Sequence, residues 1–387
     1  MPHDPSTVTR DNWLLPQNLR WALRHSRQVV PYAIVERGAT RSDPLPAGPE
    51  FELDELTFAD NGQTLRLIDF LHRSKIDAFL VLHRGQIVYQ RWFEGMTIDQ
   101  PHQWASMTKS INGVLALILA DRGVLDLGKP LSAYVPELSG SPFGVATIQQ
   151  NLDMEVAVDW PAEVTEMHWM MAVGLLPNAG GVPTTIRDFL PRIGRPSPTP
   201  HGTTFRYINS PSESVAWAIC NATGKHWPQL VGEEIWSKAG MEHEATVIVD
   251  SAQSAQASGG FSSSVADLAR FAELIRNRGM TGGRQAIAAG AIERWLAPHA
   301  DNAAAAERFA RGNIAIGRPG FSYRNGVFHV NDGDGSLQLS GRFGQRVHIN
   351  PAAELAVVQF ASYGGQGEET AGAYLAAMKA ITAAVAS

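Results

Sequence analysis

Residues Trp104–Arg122 read WASMTKSINGVLALILADR. Within them, Ser106-Met107-Thr108-Lys109 sets a serine and a lysine three residues apart at the mouth of an apolar run. Val114, Leu115, Leu117, Ile118 and Leu119 give the stretch from Lys109 to Arg122 the character of a buried helix, and Gly123 stands where a helix-ending glycine is expected. With Ser106 in the first turn, positions i and i+3 share a face, so hydroxyl and amine come within reach. A serine hydroxyl is a weak nucleophile until a neighbouring base takes its proton. Lysine becomes that base when burial and the positive end of a helix dipole lower its pKa. The same helix end offers the Ser106 backbone N–H to a developing oxyanion. S-x-x-K is common by chance, so the rest of the chain must decide whether the pair is chemical.

The 387 residues are enough for two domains sharing a cleft, and 44% hydrophobic with 18% charged residues suits a globular enzyme with a large core. A net charge of -6 leaves no basic footprint for nucleic acid. The longest apolar stretch, Val114–Ala120, falls well short of the roughly 20 residues that cross a bilayer, so no membrane partner is expected. Residues 1–20 are polar and lack the apolar segment of a secretory signal. Cys220 is the single cysteine, which rules out an internal disulfide and a cysteine zinc site; AWAICNATG around it reads as core helix. These features together predict a cytoplasmic protein.

Taken in order, residues 1–50 read as a proline-rich arm laid on the body, with a helical piece at Trp21–Gln28 and an apolar run at Val29–Val35. Leu65–Leu71 suggests a helix. In Asp77–Phe93, two runs rich in β-branched and aromatic residues flank Arg84-Gly85, which predicts a hairpin. From 136 to 245 proline, glycine and tryptophan are frequent and strand alternation is weak, with helical pieces at Thr185–Ile193, Ser212–Thr223 and Trp227–Ala239. Ser264–Arg278 is an amphipathic helix, and Ala286–Ala310 an alanine-rich helical stretch. Gly326–Val330, Leu337–Leu339, Arg346–Asn350 and Leu355–Ala361 read as consecutive antiparallel strands before a terminal helix, Ala371–Val385. The expected class is α+β: an antiparallel sheet flanked by helices, discontinuous over 51–135 and 246–387, with a mainly helical domain inserted at 136–245.

Other chemistries find no footing. H-E-x-x-H and G-x-S-x-G are absent, and no glycine-rich strand-to-helix turn fits a nucleotide, so neither metal nor cofactor is expected. Asn331–Gly335 (NDGDG) resembles a calcium loop but has Phe343 where a bidentate glutamate is required, and reads as a turn between strands. Two other segments do fit with Ser106 and Lys109. In Phe205–Ser210 (FRYINS), the Tyr207 phenol could relay a proton to a leaving group beside a lysine, and Asn209 could bind a substrate amide. In Leu339–Gln345 (LSGRFGQ), small Ser340 and Gly341 would let backbone approach a ligand.

Ser106-x-x-Lys109, then Tyr207-x-Asn209, then a small-residue strand near the C-terminus resembles the serine β-lactamase and DD-peptidase superfamily. Its class C enzymes and esterase relatives carry a tyrosine in the middle element. Trp21–Gly38, Asp77–Leu82, Tyr134–Leu138, Leu152–Met154 and Ser258–Arg270 resemble one branch, the 6-aminohexanoate-dimer hydrolases, and the likeness runs from about residue 18 to 365. The resemblance implies a β-lactamase-like two-domain fold with the site at the interface. It implies Ser106 as acylated nucleophile, Lys109 as its base, Tyr207 as proton relay, and the backbone N–H groups of Ser106 and Arg342 as oxyanion hole. Asn209, Ser258, Ser340 and Gly341 would contact substrate, with Ser258 standing where that branch carries an asparagine before two glycines.

There are departures. Leu339 occupies the place of the lysine that grips a β-lactam carboxylate, although an alternative alignment puts Arg342 there. The Trp160–Glu166 segment lacks a tyrosine that the nylon-oligomer enzymes carry. The expected activity is therefore hydrolysis of a linear, small-molecule amide or ester. DD-peptidase or β-lactamase, acyltransferase and inactive binding protein are the alternatives, and a homodimer stays open.

Overall fold

A computed structural model describes residues 4–39, 44–160, 166–177, 184–365 and 367–386. The predicted hairpin sits on one edge of the main sheet: β1 (Ile76–His83) and β2 (Gln86–Trp92) pair antiparallel, with His83 opposite Gln86. Arg84 and Gly85 between them both have positive φ, 53° and 77°, as a two-residue turn that matches strand twist requires. The C-terminal strands are β3 (Ser322–Arg324), β4 (Val327–His329), β5 (Leu337–Gly341), β6 (Gln345–Asn350) and β7 (Leu355–Ala361). Spatial order is β3-β4-β5-β6-β7-β1-β2, antiparallel throughout, so chain segments about 270 residues apart meet where β7 pairs β1.

Period-two alternation explains why both faces are covered. Ala78, Leu80 and Leu82 of β1 join one core with Val358 and Phe360 of β7 and with Leu268, Phe271 and Ile275. Those last three lie on helix Val265–Arg276, whose N-cap Ser264 accepts from the Asp267 N–H. Phe79 and Val81 face the opposite way and meet Tyr374, Ala377 and Ile381 of the terminal helix Ala371–Val385.

A second, four-stranded antiparallel sheet runs Tyr32–Val35, Ala245–Ile248, Phe261–Ser264, Pro101–Gln103. Part of the N-terminal arm is thus an edge strand. The arm's helix Pro16–Arg24 is tied down by ion pairs from Arg20 and Arg24 to Asp77, a carboxylate with no exposed surface that also meets His102 and Ser362. The alanine-rich stretch differs from expectation. It forms two helices, Ala289–Leu296 and Asn302–Ala310, because Pro298 cannot continue the first and Asp301 caps the second. The NDGDG segment is the β4–β5 turn, folded by Asp334 and Ser336 N–H groups on the Asp332 carboxylate. Among the described residues no helix is long and apolar enough to cross a membrane.

Candidate active site

Ser106 lies in a 3-10 turn, Ala105–Met107, that runs straight into α1 (Thr108–Asp121). Ser106 therefore precedes the α-helix proper, yet the i,i+3 spacing still works: Lys109 Nζ is 2.9 Å from Ser106 Oγ. Every residue of α1 from Thr108 to Leu119 is buried, including Lys109 at 1% exposure. The helix ends as read. Gly123 adopts φ +70°, its N–H reaches Ala120 O, and the Val124 N–H reaches Leu119 O, the paired bonds of a Schellman cap.

The turn is held from below. Trp104 packs against Phe261, Trp236 and Phe271 and donates to Ser263 Oγ. Thr108 Oγ1 donates to Ala105 O and accepts from the Phe261 N–H. These bonds fix Ala105 at φ +47°, a left-handed conformation that costs a non-glycine residue on the order of 1 kcal/mol and aims the next residue, Ser106, into the cleft. From the other side comes the end of β5. A Cβ on Gly341 would stand 2.5 Å from Trp104 O and 3.1 Å from Ser106 N, so only glycine lets this strand lie directly on the Ser106 turn.

Lys109 Nζ has two further partners, Asn209 Oδ1 at 2.9 Å and Ser258 O at 2.7 Å, and stands 4.9 Å from the centre of the Tyr207 ring. The geometry thus brings Ser106, Lys109, Tyr207, Asn209 and Ser258 together, with Ser340 and Gly341 at the end of the facing strand and Arg342 in the turn that follows it. Tyr207 belongs to no helix or strand. Its backbone is clamped by one side chain: Asn313 Oδ1 accepts from the Tyr207 N–H (2.8 Å) and Asn313 Nδ2 donates to the Tyr207 carbonyl (2.9 Å). Tyr323 and Phe328 bracket its ring.

Two lobes open from Ser106. The larger, about 340 Å³, is walled by Trp160, Trp169, Tyr207, Asn313, Arg318 and Phe328 among others. Arg318, 2% exposed, lies 5.1 Å from the centre of the Phe328 ring and donates to Ser340 Oγ. Leu339 is 1% exposed, packs in the core and lines neither lobe. Of the Trp160–Glu166 segment, Trp160 lines the cleft and residues 161–165 lie outside the described residues. The smaller lobe, about 80 Å³, reaches toward the N-terminal arm.

Several site residues gave no signal in the sequence. Glu213, in the first turn of the helix Ser210–Thr223, is 1% exposed, and its two carboxylate oxygens accept from the Ala257 and Ser258 N–H groups at 3.0 and 2.9 Å. It holds the loop whose Ser258 carbonyl receives Lys109. Burial pushes the Glu213 carboxyl up to about 7 against the pull of those N–H groups and of Lys109. Asn313, Arg318 and Glu213 are single polar residues, two in loops and one within a helix start, where no period marks them. Away from the cleft, Asp99, Glu242 and His243 are the one trio with metal-ligating spacing among the described residues, and Glu242 there pairs with Arg270.

The comparisons with known proteins agree with this architecture. The 6-aminohexanoate-dimer hydrolase of Paenarthrobacter ureafaciens is 28% identical over 364 residues, 92% of this chain and 88% of that one. The solved structure of a candidate 6-aminohexanoate-dimer hydrolase from Bacillus anthracis superposes with a TM-score of 0.86 at 29% identity, covering 99% and 98% of the two chains. EstCE1, a hydrolase with promiscuous acyltransferase activity, shares the fold alone, with a TM-score of 0.63 at 14% identity over 83% of this chain and 98% of its own. The α+β fold and the branch read from the sequence are both borne out. With residues 73–380 matching the Beta-lactamase family model, the chain belongs to the Beta-lactamase family.

Proposed function

We propose that the chain is a serine hydrolase that cleaves a linear amide or ester through an acyl-enzyme on Ser106, acting on a small molecule without cofactor, in the cytoplasm. The observation that carries this reading is the Lys109 amine, 1% exposed, bonded at once to Ser106 Oγ, Asn209 Oδ1 and Ser258 O at the head of an open cleft. A neutral amine that donates its two N–H groups to Asn209 and Ser258 has its lone pair left for the Ser106 hydroxyl. In that state the hydroxyl donates and Lys109 is the base.

Ser106 Oγ then attacks the substrate carbonyl carbon while its proton passes to Lys109. The oxyanion forms against the backbone N–H groups of Ser106 and Arg342. The C–N or C–O bond breaks as Tyr207 delivers a proton to the departing amine or alcohol, with Lys109 restoring the phenol. Water then attacks the acyl-enzyme by the reverse assignment and frees Ser106. The core placement of Leu339 supports a substrate other than a β-lactam, and the relatives' names support an amide.

Intact-mass spectrometry tests the reading. Wild type mixed with p-nitrophenyl butyrate gains one butyryl mass transiently, and Ser106→Ala gains none. Persistent labelling of Ser106→Ala, or no labelling and no turnover in wild type, overturns it. Stable labelling by penicillin G would turn the assignment toward a penicillin-recognising enzyme.

A further inference from the structure

Besides the Ser258 hydroxyl, the small lobe beside Ser106 contains two polar groups that the folded chain leaves unused. Gln256 is 4% exposed, its Oε1 is buried, and its side chain makes no hydrogen bond with any described residue. Arg342 packs its guanidinium 5.0 Å from the centre of the Phe343 ring, and its buried Nε is likewise without a hydrogen-bond partner among the described residues. Leaving such groups unpaired costs roughly 1–3 kcal/mol each, so both are poised for a ligand. Around them the apolar part of the wall is Leu14 and Trp13 of the N-terminal arm, Met170, Leu175 and Phe343, with Gln103, Asn209 and Ser258 as its polar part. The arm is fixed there. Trp13, with no exposed surface, donates from Nε1 to Leu175 O, and Leu14 packs on Phe343.

Position relative to Tyr207 decides which half of a substrate enters. A leaving group must sit beside its proton donor, and Tyr207 lines the large lobe but not the small one. The acyl half therefore takes the small lobe. The geometry points to this lobe as an acyl subsite, closed by the N-terminal arm, for a short aliphatic chain ending in a second amide, with Gln256 and Arg342 recognising that amide. An amide offers both an N–H for Gln256 Oε1 and a carbonyl for the Arg342 guanidinium, whereas a carboxylate would face the Gln256 oxygen with no proton to give. The methylenes between the two carbonyls lie against Leu14, Met170 and Leu175. This assignment rests on the acyl-enzyme reading above.

The test uses p-nitrophenyl esters of one shape and three chemistries: glutaramate (amide end), 5-methylhexanoate (apolar isostere) and glutarate (carboxylate end). p-Nitrophenyl acetate, too short to fill the lobe, reports acylation alone. In wild type kcat/KM for glutaramate should exceed that for 5-methylhexanoate by on the order of tenfold. In Gln256→Leu that ratio should fall to about one or below. The ratio is independent of how much variant enzyme folds. Leu14→Ala should remove part of the wall against the methylenes and lower kcat/KM for 5-methylhexanoate and glutaramate alike relative to acetate; no change relative to acetate would overturn the placement of the chain. Equal rates for amide and isostere in wild type, a ratio unmoved by Gln256→Leu, or preference for glutarate would each overturn the amide subsite. If acetate is still hydrolysed by wild type and not by Ser106→Ala, the subsite falls alone. If acetate is not hydrolysed, the acyl-enzyme reading falls with it.

Discussion

Ser106 and Tyr207 stand on the same cleft but are held by opposite kinds of structure. Ser106 and Lys109 are positioned by one turn: three residues separate them, Thr108 bonds back to Ala105, and the helix that follows is buried on every side. Tyr207 is positioned by residues more than 100 positions away, the Asn313 clamp on its backbone and the rings of Tyr323 and Phe328. The proposed nucleophile and base are thus a local property of the chain, whereas the proposed relay exists only in the assembled fold. A perturbation of tertiary packing should reach the relay before it reaches the nucleophile.

The largest effect tests the local half. Ser106→Ala should lower hydrolysis of p-nitrophenyl butyrate on the order of 10⁵-fold or more, and Lys109→Ala nearly as far, with the double variant no worse than the single ones because the two act as a unit. Additive losses measured by steady-state kinetics would break the pairing. Tyr207→Phe tests the other half and should divide substrates by leaving group. For anilides or alkyl amides, whose nitrogen must be protonated to depart, kcat should drop on the order of 10²–10⁴-fold. For p-nitrophenyl esters, whose phenolate leaves unprotonated, the drop should be much smaller. An equal loss on both would mean that Tyr207 serves the attack step, and the division of labour would collapse.

Asn313→Ala then asks whether the relay depends on distant support. Removing both backbone bonds should lower amide kcat about tenfold or more while transient acylation by the butyrate ester persists. In the Tyr207→Phe background the same change should have little further effect on amides. Additivity there would show that Asn313 supports something other than Tyr207.

The same contrast explains what the sequence disclosed. The S-x-x-K turn, the Gly123 cap, the Arg84-Gly85 hairpin and the four strands from Gly326 to Ala361 are written in periodicity and turn chemistry within a dozen residues. The pairing of Tyr32–Val35 with Ala245–Ile248 is not, because an edge strand's partner is chosen by the whole fold. Asn313, Gln256 and Glu213 sit in segments that read as loop or as a polar helix start; the burial of Gln256 and Glu213 comes from what packs over them, and exposed Asn313 meets Tyr207 only once the chain is folded. Tyr207 is legible only through its spacing to Asn209 and the family resemblance; its ring neighbours carry no signal of their own.

Glu213 gives the smallest and most quantitative test of tertiary support, since it touches Lys109 through the Ser258 loop and otherwise only through the attraction of their charges. Its carboxyl is raised from an ordinary 4.5 to about 7 in the folded chain. An acid raised on folding stabilises the protein fully below its unfolded value and loses that contribution as pH climbs through the folded one. The stability of wild type minus that of Glu213→Gln should therefore fall as pH rises from about 4.5 to about 7 and level off above. The change is at most about 3.5 kcal/mol, since each unit is about 1.4 kcal/mol. Glutamine cannot accept both the Ala257 and Ser258 N–H groups, which adds a constant offset but no slope. Thermal unfolding of both proteins across that range reads the slope directly. A flat difference would mean that Glu213 is ionised in the folded state throughout. The two N–H bonds, and not burial, would then govern it, and the loop beneath Lys109 would be held by a permanent charge.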